Sequence, residues 1–153
     1  MILRAYRPED CAFMARLFYD TVHTINARDY TNEQLDAWAT GDVDLNEWNH
    51  SLLENDTLIA EIDGKIVGFA DMEQTGYLNR LYIHKEYQRK GIAAALVNEL
   101  EQRAKVKGLF NFETDASITA KPFFEKQGYM VKTKQEVIRS GIILVNYKMT
   151  KFI

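Results

Sequence analysis

Residues 76–104 read Gly-Tyr-Leu-Asn-Arg-Leu-Tyr-Ile-His-Lys-Glu-Tyr-Gln-Arg-Lys-Gly-Ile-Ala-Ala-Ala-Leu-Val-Asn-Glu-Leu-Glu-Gln-Arg-Ala, and their pattern changes twice. Leu78, Leu81, Tyr82 and Ile83 form a β-prone apolar run, and Gln88-Arg89-Lys90-Gly91 a basic turn. Ile92, Ala93, Leu96, Val97, Leu100 and Ala104 then recur on one helical face. The order is strand, loop, helix.

What the loop lacks is informative. A helix start presents about four unpaired backbone N–H groups, normally met by a Ser, Thr, Asp or Asn cap and by acids in the first turn. Neither is present here: the first acid after the turn is Glu99. Arg89 and Lys90 add cations where the helix dipole disfavours them by roughly 0.3–1 kcal/mol each. Such a start suits an external anion, and Gly91 lets the backbone close on a phosphate. The competing reading is a solvated turn in which Gly91 supplies only backbone freedom. Neither G-x-x-x-x-G-K-[ST] nor G-x-G-x-x-G occurs, so the P-loop and the dinucleotide fingerprint do not apply.

The stretch resembles the Q/R-x-x-G-x-G/A signature of the GNAT superfamily of N-acetyltransferases, with Gln88, Gly91 and Ala93 in the signature positions. Leu81-Tyr82-Ile83 resembles the family's splayed fourth strand, and Ala120-Lys-Pro-Phe-Phe-Glu-Lys-Gln-Gly-Tyr129 its later A-x-x-F-Y-E-K-x-G-F segment. The resemblance implies a single domain over residues 1–153. It also implies an α/β fold: a mixed, mostly antiparallel twisted sheet of about six to seven strands, helices on both faces and a splayed central parallel pair. It further implies acetyl-CoA as cofactor. Leu81, Tyr82 and Ile83 would meet the pantetheine arm, and the amides of Gln88, Arg89, Lys90, Gly91, Ile92, Ala93 and Ala94 the pyrophosphate. Ser117 and Phe124 complete the cofactor set.

Two departures stand out. Ala93 and Ala94 replace glycines common in the family, which is tolerable if those positions are helical. Phe124 stands where many members have a tyrosine that protonates the leaving thiolate, and a phenyl ring has no proton to give. Either Tyr77, Tyr82 or Tyr129 supplies it, or the thiolate leaves unassisted, its thiol pKa being about 8.5.

The totals narrow the class. A chain of 153 residues buries about two thirds of its unfolded surface. With 19 basic and 22 acidic side chains the net charge is -3, which provides no general field for nucleic acid or anionic lipid. A lone cysteine, Cys11, excludes an internal disulfide and is expected to pack. No apolar run nears the roughly 18 residues of a membrane helix. The start Met1 to Tyr6 lacks the regions of a signal peptide, so a cytoplasmic location is expected. No metal-ligand spacing occurs.

Along the chain, a strand over Ile2–Tyr6 precedes a helix opened by Pro8, Glu9 and Asp10 and running to about Asn26. Thr31 caps a short helix through Trp38, and Leu45, Trp48, Leu52 and Leu53 mark another. Strands over Thr57–Ile62 and Lys65–Glu73 flank Asp63-Gly64, a strong hairpin signal, and Gln74-Thr-Gly76 turns into the next strand. A helix from Gly91 to Lys107 and a strand over Leu109–Thr114 require a right-handed crossover and a parallel pair. A short helix over Ser117–Gln127, begun by Ser117 or Asp115, leads to a final strand pair around Ser140-Gly141.

Acetyl transfer needs both reactants placed, the amine neutral and a developing oxyanion stabilised. The expected pantetheine slot lies between residues 81–83 and 110–114, with free backbone at Leu81 and Ile83. His23, Tyr30 and Trp38, in an aromatic and irregular region, are candidates for the acceptor pocket. By two-residue periodicity Phe69, Asp71 and Glu73 share a face, as do Tyr77, Asn79 and Leu81, so Asp71, Glu73 and Tyr77 are candidates for the catalytic groups. The expected reaction is direct attack of a primary amine on acetyl-CoA in a ternary complex, the acceptor being an unidentified small molecule or peptide. Alternatives are a CoA-binding regulatory or sensor module with reduced catalysis, or acetylation of a protein N-terminus. Neither nucleic acid nor membrane is expected as partner, and a homodimer is an allowed assembly.

Overall fold

The computed structural model describes all 153 residues, arranged as one seven-stranded sheet with helices on both faces. In chain order the strands are β1 (Ile2–Ala5), β2 (Asp56–Ile62), β3 (Lys65–Met72), β4 (Tyr77–Ile83), β5 (Asn111–Ser117), β6 (Met130–Arg139) and β7 (Ile142–Phe152). The helices are α1 (Cys11–Thr24), α2 (Asn32–Trp38), α3 (Leu45–Glu54), α4 (Ile92–Val106) and α5 (Lys121–Lys126). The sheet order is β1-β2-β3-β4-β5-β7-β6, and every pairing is antiparallel except β4 with β5.

Local chemistry explains most boundaries. Thr31 caps α2 through Gln34, whose side chain returns to the Thr31 N–H. Asp44 caps α3 by accepting from the amides of Asn46 and Glu47. At the β2–β3 hairpin Asp63 and Gly64 both hold positive φ, as a two-residue turn of this hand requires. The main differences from expectation meet at one place: β5 runs over Asn111–Ser117 rather than Leu109–Thr114, so Asp115 lies within the strand and starts no helix. Ser117 ends β5 and begins no helix: its hydroxyl accepts from the Ala120 N–H, making a turn that delays α5 until Lys121.

Two apolar clusters sandwich the sheet. Leu96, Val97 and Leu100 of α4 and Phe124 of α5 pack with Leu58, Met72, Leu78 and Phe112. Met14, Phe18 and Val22 of α1 pack with Leu35, Leu52, Ile59 and Phe69 on the other face.

The centre of the sheet is irregular in two ways. The β4–β5 ladder holds only Tyr77↔Glu113 and Leu78↔Thr114 before the strands part, so the gap opens between residues 79–83 and 115–117. It therefore lies further along β5 than the expected 110–114. In addition, the β3–β4 register steps from Asp71↔Arg80 to Met72↔Leu78, leaving Asn79 as an extra residue. That bulge overturns the simple alternation expected for this strand. Leu78, Leu81 and Ile83 face α4, whereas Arg80 and Tyr82 turn to the α1–α3 side, where Trp48 and Phe18 meet them.

Candidate active site

A cleft of about 560 Å³ occupies the gap, running from the loop before α4, between β4 and β5, to the segment after α1. Its walls include Leu81, Tyr82, Ile83, Gln88, Arg89, Gly91, Ile92, Ala93, Ala94, Ser117 and Phe124. Of the cofactor residues expected from sequence, only Lys90 is outside this lining.

Gly91 takes φ +80 at the N-terminus of α4, and no atom lies within 4 Å of the place its Cβ would occupy. Arg89 also adopts positive φ, +60, a conformation that costs a non-glycine residue about 1–3 kcal/mol. The first turn of α4 has no side-chain cap and no acid. Two left-handed residues thus bend an uncapped, cationic helix start around open space, which suits a phosphate. Gln88 ties the loop to the strand: its Nε2 donates to the Ile83 carbonyl at 2.8 Å.

The strand edge supplies the next piece. The His84 N–H donates to Val67 O, so alternation turns the main-chain groups of Leu81 and Ile83 away from β3 and into the gap. The Ile83 carbonyl is not free, however, because Thr21 Oγ1 donates to it at 2.9 Å alongside Gln88. Leu81 therefore offers the open main chain beside the bulge.

Beyond β4, on the α1–α3 side, the cleft is lined by Asn26, Arg28, Trp38, Arg80, Asp115 and Thr119. Tyr82 lies there too, and burial pushes its hydroxyl up to about 12. The segment after α1 is laced to the turn after β5. Asn26 Nδ2 donates to Ser117 Oγ at 3.4 Å, and Thr119 Oγ1 to Asp29 Oδ2 at 2.7 Å. The Tyr30 hydroxyl accepts from the Ile118 N–H at 2.9 Å and donates to Val145 O at 2.7 Å.

A family model described as an acetyltransferase (GNAT) domain matches residues 26–151. The chain belongs to the GNAT superfamily of acetyltransferases. It is 32% identical over 147 residues to the Uncharacterized N-acetyltransferase YafP of Escherichia coli K12, covering 96% of this chain and 93% of YafP. A crystallised GCN5-related N-acetyltransferase from Rhodopseudomonas palustris superposes with a TM-score of 0.95 at 36% identity, over 99% of this chain and 95% of that one. The PaiA N-acetyltransferase from Thermoplasma acidophilum, solved in complex with coenzyme A, shares the fold at a TM-score of 0.82 and 20% identity, over 99% and 98% of the two chains.

In this GNAT enzyme the three carboxylate-region candidates do not converge. Asp71 is fully buried under α3, where its Oδ2 meets Arg80 Nη1 at 2.6 Å and Asn55 Nδ2 at 2.9 Å. Desolvation pushes the Asp71 carboxyl up, against the pull of Arg80 and Asn55. Glu73 borders a shallow dent with Leu100 and Ala104 of α4. Tyr77 donates its hydroxyl to Asp115 Oδ2 at 2.7 Å and does not line the cleft. Asp71 and Tyr77 are each tied to a different partner, Arg80 and Asp115, and Glu73 lies past the end of β3.

The acceptor candidates also separate. Trp38 lines the cleft; Tyr30 is buried and serves as a hydrogen-bonding post between two loops; His23 Nε2 pairs with Ala39 O at 2.8 Å, away from the cleft. Among the tyrosines considered as proton donors, Tyr129 is committed to Glu101 Oε2 at 2.8 Å within the core, and only Tyr82 reaches the cleft. Asp115 lines the cleft, and sequence periodicity did not single it out. A carboxylate late in a strand carries no local signal, and its place depends on where β5 leaves β4.

Proposed function

We propose that this acetyltransferase moves the acetyl group of acetyl-CoA to a primary amine of a small molecule or peptide, by direct attack with both reactants bound. The observation that carries the reading is the continuity of three features in one cleft: the uncapped left-handed loop at Gly91, the unpaired main chain at Leu81, and the gap between β4 and β5. The PaiA N-acetyltransferase, which shares the fold, was solved in complex with coenzyme A, and this supports a CoA-type cofactor.

On this reading the amides around Gly91 hold the pyrophosphate, Leu81 and its neighbours hold the pantetheine amides, and a thioester supplies an acetyl group already activated toward amines. The chain's own contribution is positioning, together with main-chain N–H groups that stabilise charge developing on the carbonyl oxygen. The amine enters from the Trp38 side. Phe124 packs against Phe123 and Tyr129 in the cleft wall and provides shape without a proton. Release of the thiolate then needs no protein acid, or draws on Tyr82.

Isothermal calorimetry with acetyl-CoA, followed by thiol release with alkylamines, polyamines, aminoglycoside antibiotics and peptides, tests the reading. Tight binding with turnover of at least one amine class is expected. Binding without turnover of any of them would instead indicate a CoA-sensing module.

A further inference from the structure

We propose that Asp115 is the acceptor-recognition residue of this cleft, and that the acceptor is a cationic alkylamine with no carboxylate close to its amine. The inference rests on the acetyl-transfer reading and adds the charge class of the substrate.

Asp115 is the only carboxylate in the lining of the cleft. It lies on β5 between buried Thr114 and Ala116, and strand alternation turns it away from α4 to the side where Trp38 and Tyr82 stand. Its hydrogen-bond partners are neutral: Tyr77 Oη donates to Oδ2 at 2.7 Å and Gln135 Nε2 to Oδ1 at 2.9 Å. A carboxylate offers about four lone-pair directions, so two donors hold this one in place and leave room for an ammonium.

The neighbouring charges are matched elsewhere. Lys148 is opposite Asp115 in the β5–β7 register, yet its Nζ turns to Glu113 Oε1 at 3.2 Å. Arg80 is neutralised by Asp71 at 2.6 Å, and Arg28 Nε lies 3.7 Å from Asp29 Oδ2. Arg89 and Lys126 also line the cleft, but Arg89 belongs to the loop before α4 and Lys126 to the end of α5, a helix packed through Phe124 on the α4 side of the sheet, opposite the side to which Asp115 turns. On the acceptor side the unmatched charge is therefore that of Asp115. Such a field attracts an ammonium group, which gives a proton to water before the neutral amine attacks, and repels a carboxylate; the aromatic faces of Trp38 and Tyr82 are compatible with a cation.

The test uses the full chain, acetyl-CoA and three probes: butylamine, γ-aminobutyrate, which adds a carboxylate to a similar amine, and methoxyamine, which is uncharged near neutral pH. The parent is expected to use butylamine at least about tenfold better than γ-aminobutyrate, with a kcat/KM for butylamine that falls between about 20 and 300 mM salt as the attraction is screened. Asp115→Asn should raise the KM for butylamine on the order of 10- to 100-fold, the loss of a charge-assisted contact. Its kcat should move little, methoxyamine turnover should be retained, and the salt dependence should flatten.

Calorimetric binding of acetyl-CoA by Asp115→Asn establishes that the variant is folded. An equal loss with methoxyamine, an unchanged KM for butylamine, or a parent that prefers γ-aminobutyrate overturns the proposal while leaving acetyl transfer standing. The parent's own salt profile decides the matter if the variant does not fold, since a flat profile is incompatible with recognition by an exposed charge. No thiol release by the parent with any probe would instead sink the acetyl-transfer reading, and this one with it.

Discussion

Arg80 on β4 reaches across the sheet to Asp71 on β3, Nη1 to Oδ2 at 2.6 Å, with the carboxylate wholly buried and Trp48 stacked 4.8 Å from the guanidinium carbon. The two residues are register partners at the step where Asn79 is extruded, so the pair spans the bulge beside the cleft. Removing one partner of a buried pair strands the other charge and costs about 3–5 kcal/mol, whereas replacing both with apolar groups is often neutral. Asp71→Ala should therefore lower the urea unfolding free energy by about that amount, and Asp71→Leu with Arg80→Met should recover most of it. Equal losses in the single and double variants would show that the pair adds nothing beyond its packing.

The loop before α4 offers a sharp test of cofactor placement. Gly91→Asp introduces a side chain and a negative charge where the phosphate is expected, at a backbone conformation that aspartate tolerates better than most residues. Calorimetry should find acetyl-CoA binding weakened at least about a hundredfold, with the circular dichroism spectrum unchanged. Retained affinity would move the pyrophosphate to another part of the cleft.

Trp38 ends α2, stacks edge-on against Tyr30 with ring centroids 5.3 Å apart, and lines the acceptor side of the cleft. Trp38→Ala should raise the KM for whichever amine is turned over by roughly tenfold, while the dissociation constant of acetyl-CoA stays within about twofold. The opposite pattern in steady-state kinetics and calorimetry would assign the residue to the cofactor.

Asp10, at the start of α1, receives two hydrogen bonds from the Arg4 guanidinium, at 2.8 and 2.9 Å, and one from the Arg7 N–H at 2.9 Å. The Arg4 guanidinium holds its carboxyl below the usual carboxylate range, against the effect of burial. A depressed folded pKa contributes stability that is present above the unfolded value, about 3.9, and is lost as pH falls through the folded value. Asp10→Asn should thus cost about 1.5–3 kcal/mol at neutral pH. The difference between parent and variant urea midpoints should shrink below about pH 4 and close in stronger acid. A gap that persists at low pH would mean that the loss is one of packing.

Much of this was legible in the residues themselves. Asp63-Gly64 and Ser140-Gly141 form the tight turns their composition implies, with positive φ at all four positions. Thr31 and Gln34 form the expected capping box, and the missing cap before Ile92 corresponds to an uncapped helix start. Ser117 was harder to place, because a serine hydroxyl that starts a helix and one that closes a turn look alike in sequence; here the Ala120 N–H decides it.

The sequence by itself determined the order of elements, the hairpins and the anion-ready start of α4, because each depends on neighbours within a few residues: apolar period, turn chemistry, caps. Tertiary structure alone decided which side chains share the cleft. One extruded residue, Asn79, reverses the face of every side chain on one side of it relative to a regular strand, so periodicity could not place Leu78 and Arg80 on opposite sides, and the partners that hold Asp71 and Tyr77 apart, Arg80 and Asp115, are tertiary. In the same way Tyr30 and His23 are held by carbonyls at Val145 and Ala39, and Asp115 joins the cleft because β5 parts from β4 after Thr114. These are contacts between segments 16 to 115 residues apart, and such pairings follow from the packing of the whole sheet.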